Sequence, residues 1–181
     1  MGYMPEDRRF VPEFTVEDNI RLPSWMLAID GVEKRIEWIF ALVRELLDLR
    51  DRRALELSGG QQKMAALARV LMAGRRILLL VEPFEGLAPA LARRLAAVLA
   101  DLKSAGLSIL IAESNQIHVA KLLSQAYRIE RSQVAPAWRR LERCPLPGSA
   151  RYLVFSPSRL AATRKATRVR PLRDARRVSV P

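Results

Sequence analysis

The chain has 181 residues, half of them apolar, which suffices for one domain with a modest core and excludes a globally disordered protein. The formal net charge is +12, but from Arg139 onward 12 Arg and Lys face only two Asp and Glu, so the basic excess belongs to the tail and the body is nearly neutral. A single cysteine, Cys144, and a single histidine, His118, exclude an internal disulfide, fit a cytoplasmic protein and argue against a Cys/His metal site.

The first ten residues, MGYMPEDRRF, carry acids and a proline where a secretory signal would be apolar. They predict a strand fragment at Gly2–Met4 running into a loop. Thr15-Val16-Glu17-Asp18 places a capping hydroxyl before an acidic first turn, so a short helix through Asn19–Arg21 is expected, stopped near Pro23. From Val32, apolar residues at Ile36, Ile39, Phe40, Val43, Leu46 and Leu47 recur at helical steps. A charged connection, Asp48–Arg53, leads to LSGGQQ at residues 57–62. The next helix carries Met64, Leu67, Ala68, Leu71 and Met72 on one face, with Gly74 as its C′ residue. Ile77–Val81 is a continuous apolar run of strand length, far below the roughly 18 residues of a membrane span.

Pro89 opens a further helix with the stripe Leu91, Leu95, Val98, Leu99 and Leu102, closed by Gly106. Leu107–Ala112 predicts a second buried strand, residues 118–123 a helix with His118 on its surface, and Tyr127–Glu130 a last short strand. Alternating strands and helices with short connections imply crossover units on a parallel sheet, hence an α/β fold. The division expected is 1–14 as a loop region, 15–74 as a helical subdomain, 75–134 as the α/β part, and 135–181 as a disordered Pro- and Arg-rich tail.

The chemistry concentrates at two places. Ser58 caps a helix whose first turn holds Gly59 and Gly60, with Gln61 and Gln62 behind. Bare first-turn amides and the helix dipole suit a terminal phosphate, and glycines let an anion approach the backbone. About twenty residues on, Ile77–Val81 ends in Glu82-Pro83. A carboxylate at the carboxyl end of a parallel strand lies where such sheets bind ligands.

In this order the sequence resembles the ATP-binding cassette (ABC) ATPases, the motor subunits of ABC transporters. LSGGQQ matches their signature motif and ILLLVEP their Walker B strand. TVEDN, EGLAP and IAESN resemble the branched-chain amino acid importer subgroup, over roughly Gly2 to Val134. The resemblance implies a partial P-loop NTPase fold, with ATP and Mg²⁺ as cofactors. Glu6 falls at the Q-loop position that senses the γ-phosphate, Glu82 at the general base for the attacking water, and Ser114 at the switch position. Ser58, Gly59, Gly60, Gln61 and Gln62 would meet the γ-phosphate of a nucleotide held by a second ATPase subunit in a head-to-tail pair. The partners implied are that second subunit and transmembrane permease subunits, which dock on the helical subdomain. The place implied is the cytoplasmic face of the membrane.

Two departures stand out against the family pattern. No G-x-x-x-x-G-K-[ST] phosphate loop occurs, so this chain is expected to supply the signature half of a site and lack the receiving half. Val81 stands where the family's Mg²⁺-holding aspartate would be, and valine has no ligand atom. The expected function is therefore an ATP-binding subunit, truncated, energising branched-chain amino acid uptake in the intact family. The alternative is a non-catalytic partner that lends its signature motif to an intact ATPase. Beyond Tyr152 and Phe155 no aromatics interleave the tail's arginines, so nucleic-acid binding is not expected. An absent upstream strand would also leave Ile77–Val81 with an open apolar edge and low solubility.

Overall fold

In the computed structural model the described residues are 1–115, 117–119, 122, 124–130, 133–138 and 151–156. The chain opens with β1 (Gly2–Met4) and a loop to α1 (Val16–Met26). Helix α2 (Val32–Leu42) continues into a 3-10 segment at Arg44–Leu49, and a second, Ala54–Glu56, precedes α3 (Gly59–Ala73). Then come β2 (Ile77–Val81), α4 (Pro89–Ser104), β3 (Ser108–Glu113), β4 (Gln125–Glu130), β5 (Gln133–Trp138) and β6 (Arg151–Ser156).

The sheet order is β1-β2-β3-β6-β4-β5. Strands β1, β2 and β3 are parallel, in register Met4↔Leu80 and Leu80↔Ile111. Strand β6 lies antiparallel to both β3 and β4, with Phe155 opposite Leu110 on one side and Gln125 on the other. Strand β4 thus runs the same way as β3, as crossover topology requires, but is separated from it by β6. The expected α/β fold with a parallel sheet is what the chain adopts.

Helix α3 is the centre of the core. Lys63 through Ala68, and Val70 through Met72, are all buried, so this helix is covered on nearly every side. Met64, Leu67, Leu71 and Met72 are fully enclosed, and burying each such side chain contributes about 2 kcal/mol. The carboxyl end of α3 is held by Arg35 of α2, whose guanidinium donates to the carbonyls of Leu71 and Gly74. A cation there meets the negative end of the helix dipole. Gly74 ends the helix with φ −88°, so the left-handed cap expected at that residue is not formed.

The entry to α1 is built by side chains. Thr15 and Asp18 form a reciprocal capping box. Asn19, fully buried, donates to the carbonyls of Val11, Phe14 and Thr15 and accepts from the Val11 amide. This side chain adds to the backbone bonds that the loop accepts from Ala54 and Leu55. Arg21 and Arg50 both pair with Glu17, which draws the Glu17 carboxylate below its usual range through Arg50 first.

Several expectations are corrected. Helix α1 does not stop at Pro23. The proline sits inside it, and the Leu27 amide still reaches the Pro23 carbonyl. Proline removes only its own donor and leaves its acceptor available. The open apolar edge expected at Ile77–Val81 does not exist, because β2 is paired with β1 on one side and β3 on the other. The edge falls to β1, only three residues long, and a short edge is a poor template for aggregation. The helix expected over 118–123 rests partly on residues outside the described ones, and Ile117–Val119 form a turn. Within the tail expected to be disordered, Gln133–Trp138 and Arg151–Ser156 are strands, and the rest of the tail lies outside the described residues. Pro136 is tolerated because β5 is an edge strand.

Asn19→Ala leaves the Val11 amide without its partner and takes one of two donors from each of the Val11, Phe14 and Thr15 carbonyls. The expected loss is about 2 kcal/mol of unfolding free energy, read from a urea titration.

Candidate functional site

The two chemical centres expected from sequence occupy separate places. The first is the start of α3. Ser58 is extended (φ −61°, ψ 157°), and its Oγ accepts from the Gln61 amide at 3.4 Å. Gln61 Oε1 in turn accepts from the Ser58 amide at 2.9 Å, closing a capping box. The Gln62 amide donates to the Ser58 carbonyl. The stretch is therefore not uniformly bare, as the sequence suggested. Among the described residues, only the amides of Gly59 and Gly60 in this turn donate no hydrogen bond. Ser58 and Gly59 are exposed. The Ser58 hydroxyl accepts within the box, so its proton is free for an incoming anion, and the Gln61 amide NH₂ is free likewise.

The two glycines have different reasons to be there. A Cβ on Gly60 would sit 2.5 Å from Leu91 Cδ2 at the start of α4, so the end of that side chain would have to shift to admit it. A Cβ on Gly59 would meet only Arg8 Nη1 at 3.5 Å, an ordinary contact. Close approach by an anion thus explains Gly59 better than Gly60.

Behind this turn lies the loop from Pro5 to Phe10. Arg8 Nη1 donates to Gln62 Oε1 at 2.8 Å and to the Gly59 carbonyl at 3.3 Å. Arg69 of α3 donates to the carbonyls of Arg8 and Arg9, and its guanidinium stacks over the Phe10 ring at 4.9 Å. The loop is held in a strained form, with Arg8 at φ 55° and Arg9 at φ 44°. Glu6 is exposed here, and it shares a cavity of about 450 Å³ with Gln62 and the exposed Leu55.

The second centre is the carboxyl end of β2. Glu82 leaves the strand with φ 46°, a left-handed conformation that costs a non-glycine residue roughly 1–2 kcal/mol. Its Oε2 accepts from the Ser114 amide at 3.3 Å and from Ser114 Oγ at 3.2 Å. Glu82 and Ser114 are thus brought together, in a cavity of about 300 Å³ that also takes in Glu113, Phe84 and His118. His118 stacks on Phe84, ring centroids 5.6 Å apart, so it is part of the cavity wall and not a plain surface residue.

Two residues that sequence reasoning passed over sit here, as Arg8 does at the first centre. Glu113 is only 2% exposed and accepts from the Phe84 amide at 3.4 Å. Its carboxyl is pushed up to about 8, first by burial and then by Glu82 beside it. Lys63, also 2% exposed, reaches from α3 to donate to the Glu82 carbonyl. Burial lowers the Lys63 pKa, while Glu85, Glu113 and Glu82 act to raise it. A lysine in the middle of an apolar helix run was the available signal for Lys63. Nothing in the spacing marked Arg8 or Glu113.

The fit to nucleotide and metal differs. Two free amides, a free hydroxyl proton and a helix start suit a phosphate. For Mg²⁺, Val81 supplies no ligand atom, and no group of three metal-ligating side chains exists among the described residues. The residues present do not build a Mg²⁺ site.

Residues 1–85 match the family model described as ABC transporter. The chain is 30% identical over 134 residues to the high-affinity branched-chain amino acid transport ATP-binding protein BraG of Pseudomonas aeruginosa, covering 74% of this chain and 58% of that protein. It is 28% identical to the lipopolysaccharide export system ATP-binding protein LptB of Acidithiobacillus ferridurans, covering 76% of this chain and 57% of that one. Among solved structures, the ADP conformation of an ATP-binding cassette of an ABC transporter superposes with a TM-score of 0.61 at 26% identity, covering 74% of this chain and 57% of that one. The chain thus spans a little over half the length of these proteins.

Two outcomes follow from this geometry. Gly59→Ala leaves thermal stability unchanged or raises it by about 0.5 kcal/mol, whereas Gly60→Ala costs about 1 kcal/mol, because only the second methyl meets Leu91. The Glu113 carboxyl, with Glu82 and Lys63 as the charged groups facing it, keeps in the folded state a proton that the unfolded chain releases near 4.5. Its contribution is complete below that value and lost as pH rises through about 8. Urea midpoints therefore fall from about pH 5 to about pH 9, and Glu113→Gln flattens that slope.

The sequence match over residues 1–85, the superposition on solved cassettes and the capped LSGGQQ helix agree: these residues are similar to an ABC transporter ATP-binding domain, in a chain with the fold of part of an ABC ATPase cassette.

Proposed function

We propose that the chain acts as an ATP-binding subunit of an ABC importer, energising branched-chain amino acid uptake by ATP hydrolysis. It works head to tail with a second ATPase subunit, at the cytoplasmic face of the membrane. Ser58 through Gln62 meet the γ-phosphate of a nucleotide that the other subunit grips. The observation that carries this reading is the start of α3, where the exposed Ser58 and Gly59 present a free hydroxyl proton and unpaired amides to solvent. A nucleotide held here needs its other side covered, and these 181 residues contain no glycine-rich lysine loop to do so.

Glu82 and Ser114 take the general-base and switch roles. Glu82 orients a water, and Ser114 fixes the carboxylate through two hydrogen bonds to one oxygen. The cavity between Glu6, Leu55 and Gln62 is the docking place for a permease subunit, since it joins an exposed apolar residue to the loop gripped by Arg8 and Arg69. The importer subgroup rests on TVEDN, EGLAP and IAESN and on the likeness to BraG. The likeness to LptB supports the ATP-binding role more than the cargo.

A second reading has its own observation. Val81 removes the metal-holding carboxylate, which favours a non-catalytic subunit that lends its signature motif to an intact ATPase.

The test is nucleotide binding by the purified chain, with and without an intact cassette of the branched-chain amino acid type. The chain alone is expected to bind ATP weakly or not at all. Its addition should tighten ATP binding by the intact cassette about tenfold, and Ser58→Arg should abolish that gain. ATP turnover by the chain alone, lost on Glu82→Gln, would falsify the donated-motif reading.

A further inference from the structure

We infer that Lys63 is a positioning residue: a buried ammonium strut that ties the start of α3 to Glu82, so that the signature turn and the carboxylate centre move together. Lys63 follows directly on Gln62, the last signature residue, and belongs to the same helical turn as Gly60. Its Nζ donates to the carbonyl of Glu82, the residue whose left-handed backbone turns the chain out of β2. An ammonium that is only 2% exposed must keep such a partner, because water cannot replace it.

From the other side, β3 grips the same residue. The Ser114 amide and hydroxyl hold Glu82 Oε2, and the Phe84 amide, two residues further on, is held by Glu113. Glu82 is thus clamped between α3 and β3. A displacement at the first turn of α3 is delivered through Lys63 to the Glu82 peptide, and from there to its carboxylate. The functional meaning rests on the proposed head-to-tail arrangement. In it the signature turn faces one nucleotide and Glu82 the other, so Lys63 links the two sites across one chain. The tie itself is a property of the chain alone.

Amide hydrogen exchange of the full-length chain tests it without nucleotide. Exchange at Phe84 and Ser114 is read relative to the core amide of Leu67, which removes any global change in stability. Ser58→Ala breaks the capping box and frays the first turn. In the wild-type background it should speed relative exchange at Phe84 and Ser114 by about fivefold, the scale of a lost N-cap. With Lys63→Met, an unbranched apolar side chain that fills the same channel, the same cap removal should change them by less than about twofold. Unchanged exchange at Phe84 and Ser114 after Ser58→Ala overturns the inference. So does an equal effect in both backgrounds. Neither result bears on capture of nucleotide with an intact cassette, so the failure of this tie and the failure of the proposed function are told apart.

Discussion

Helix α3 is enclosed by protein on nearly every side, and this fixes what its two ends must do. A buried helix satisfies its interior backbone by itself, but its first amides and last carbonyls need partners from elsewhere. At the carboxyl end Arg35 supplies them, reaching from α2 to the carbonyls of Leu71 and Gly74. At the amino end the capping box answers for Ser58 and Gln61 only, and the Gly59 and Gly60 amides are left to solvent. The anion-seeking end of the helix is what remains once the core has placed everything else.

The same enclosure explains the polar residues that accompany α3. Lys63, Arg69 and Arg8 all bond to backbone carbonyls or to Gln62, and each one joins the helix to a segment with no regular pairing of its own. The loop at Pro5–Phe10 and the turn after β2 are held by long cationic side chains, not by ladders. Both segments carry positive φ values at residues other than glycine. Strain of this kind persists where surrounding bonds over-determine it, and here Arg8, Arg69 and Lys63 supply those bonds.

The carboxylate centre shows how charge is managed where β2 ends. With valine at position 81, Glu82 and Glu113 remain as neighbouring acids beside one buried ammonium. Burial, with Glu82 beside it, raises the Glu113 carboxyl toward its protonated form, which keeps it compatible with Lys63. Among the described residues Lys63 and Glu113 are the buried charged-type side chains, and Glu113 lines the cavity beside Glu82.

Much was legible in the sequence because it depended on local pattern. Helical spacing at Met64, Leu67, Leu71 and Met72 fixed α3, the apolar run Ile77–Val81 fixed β2, and Thr15 and Ser58 announced their caps through hydroxyl and spacing alone. The motif LSGGQQ carried the family. What the sequence left open was long-range. The strand at 151–156 falls in the tail expected to be disordered, and its place between β3 and β4 depends on partners some forty and twenty-five residues away. That Gly60 answers to Leu91, that β2 lies inside the sheet, and that Glu82 is clamped by Lys63 and Ser114 are decided by which surfaces meet. Periodicity shows the face a segment buries. Only packing shows which neighbour it is buried against.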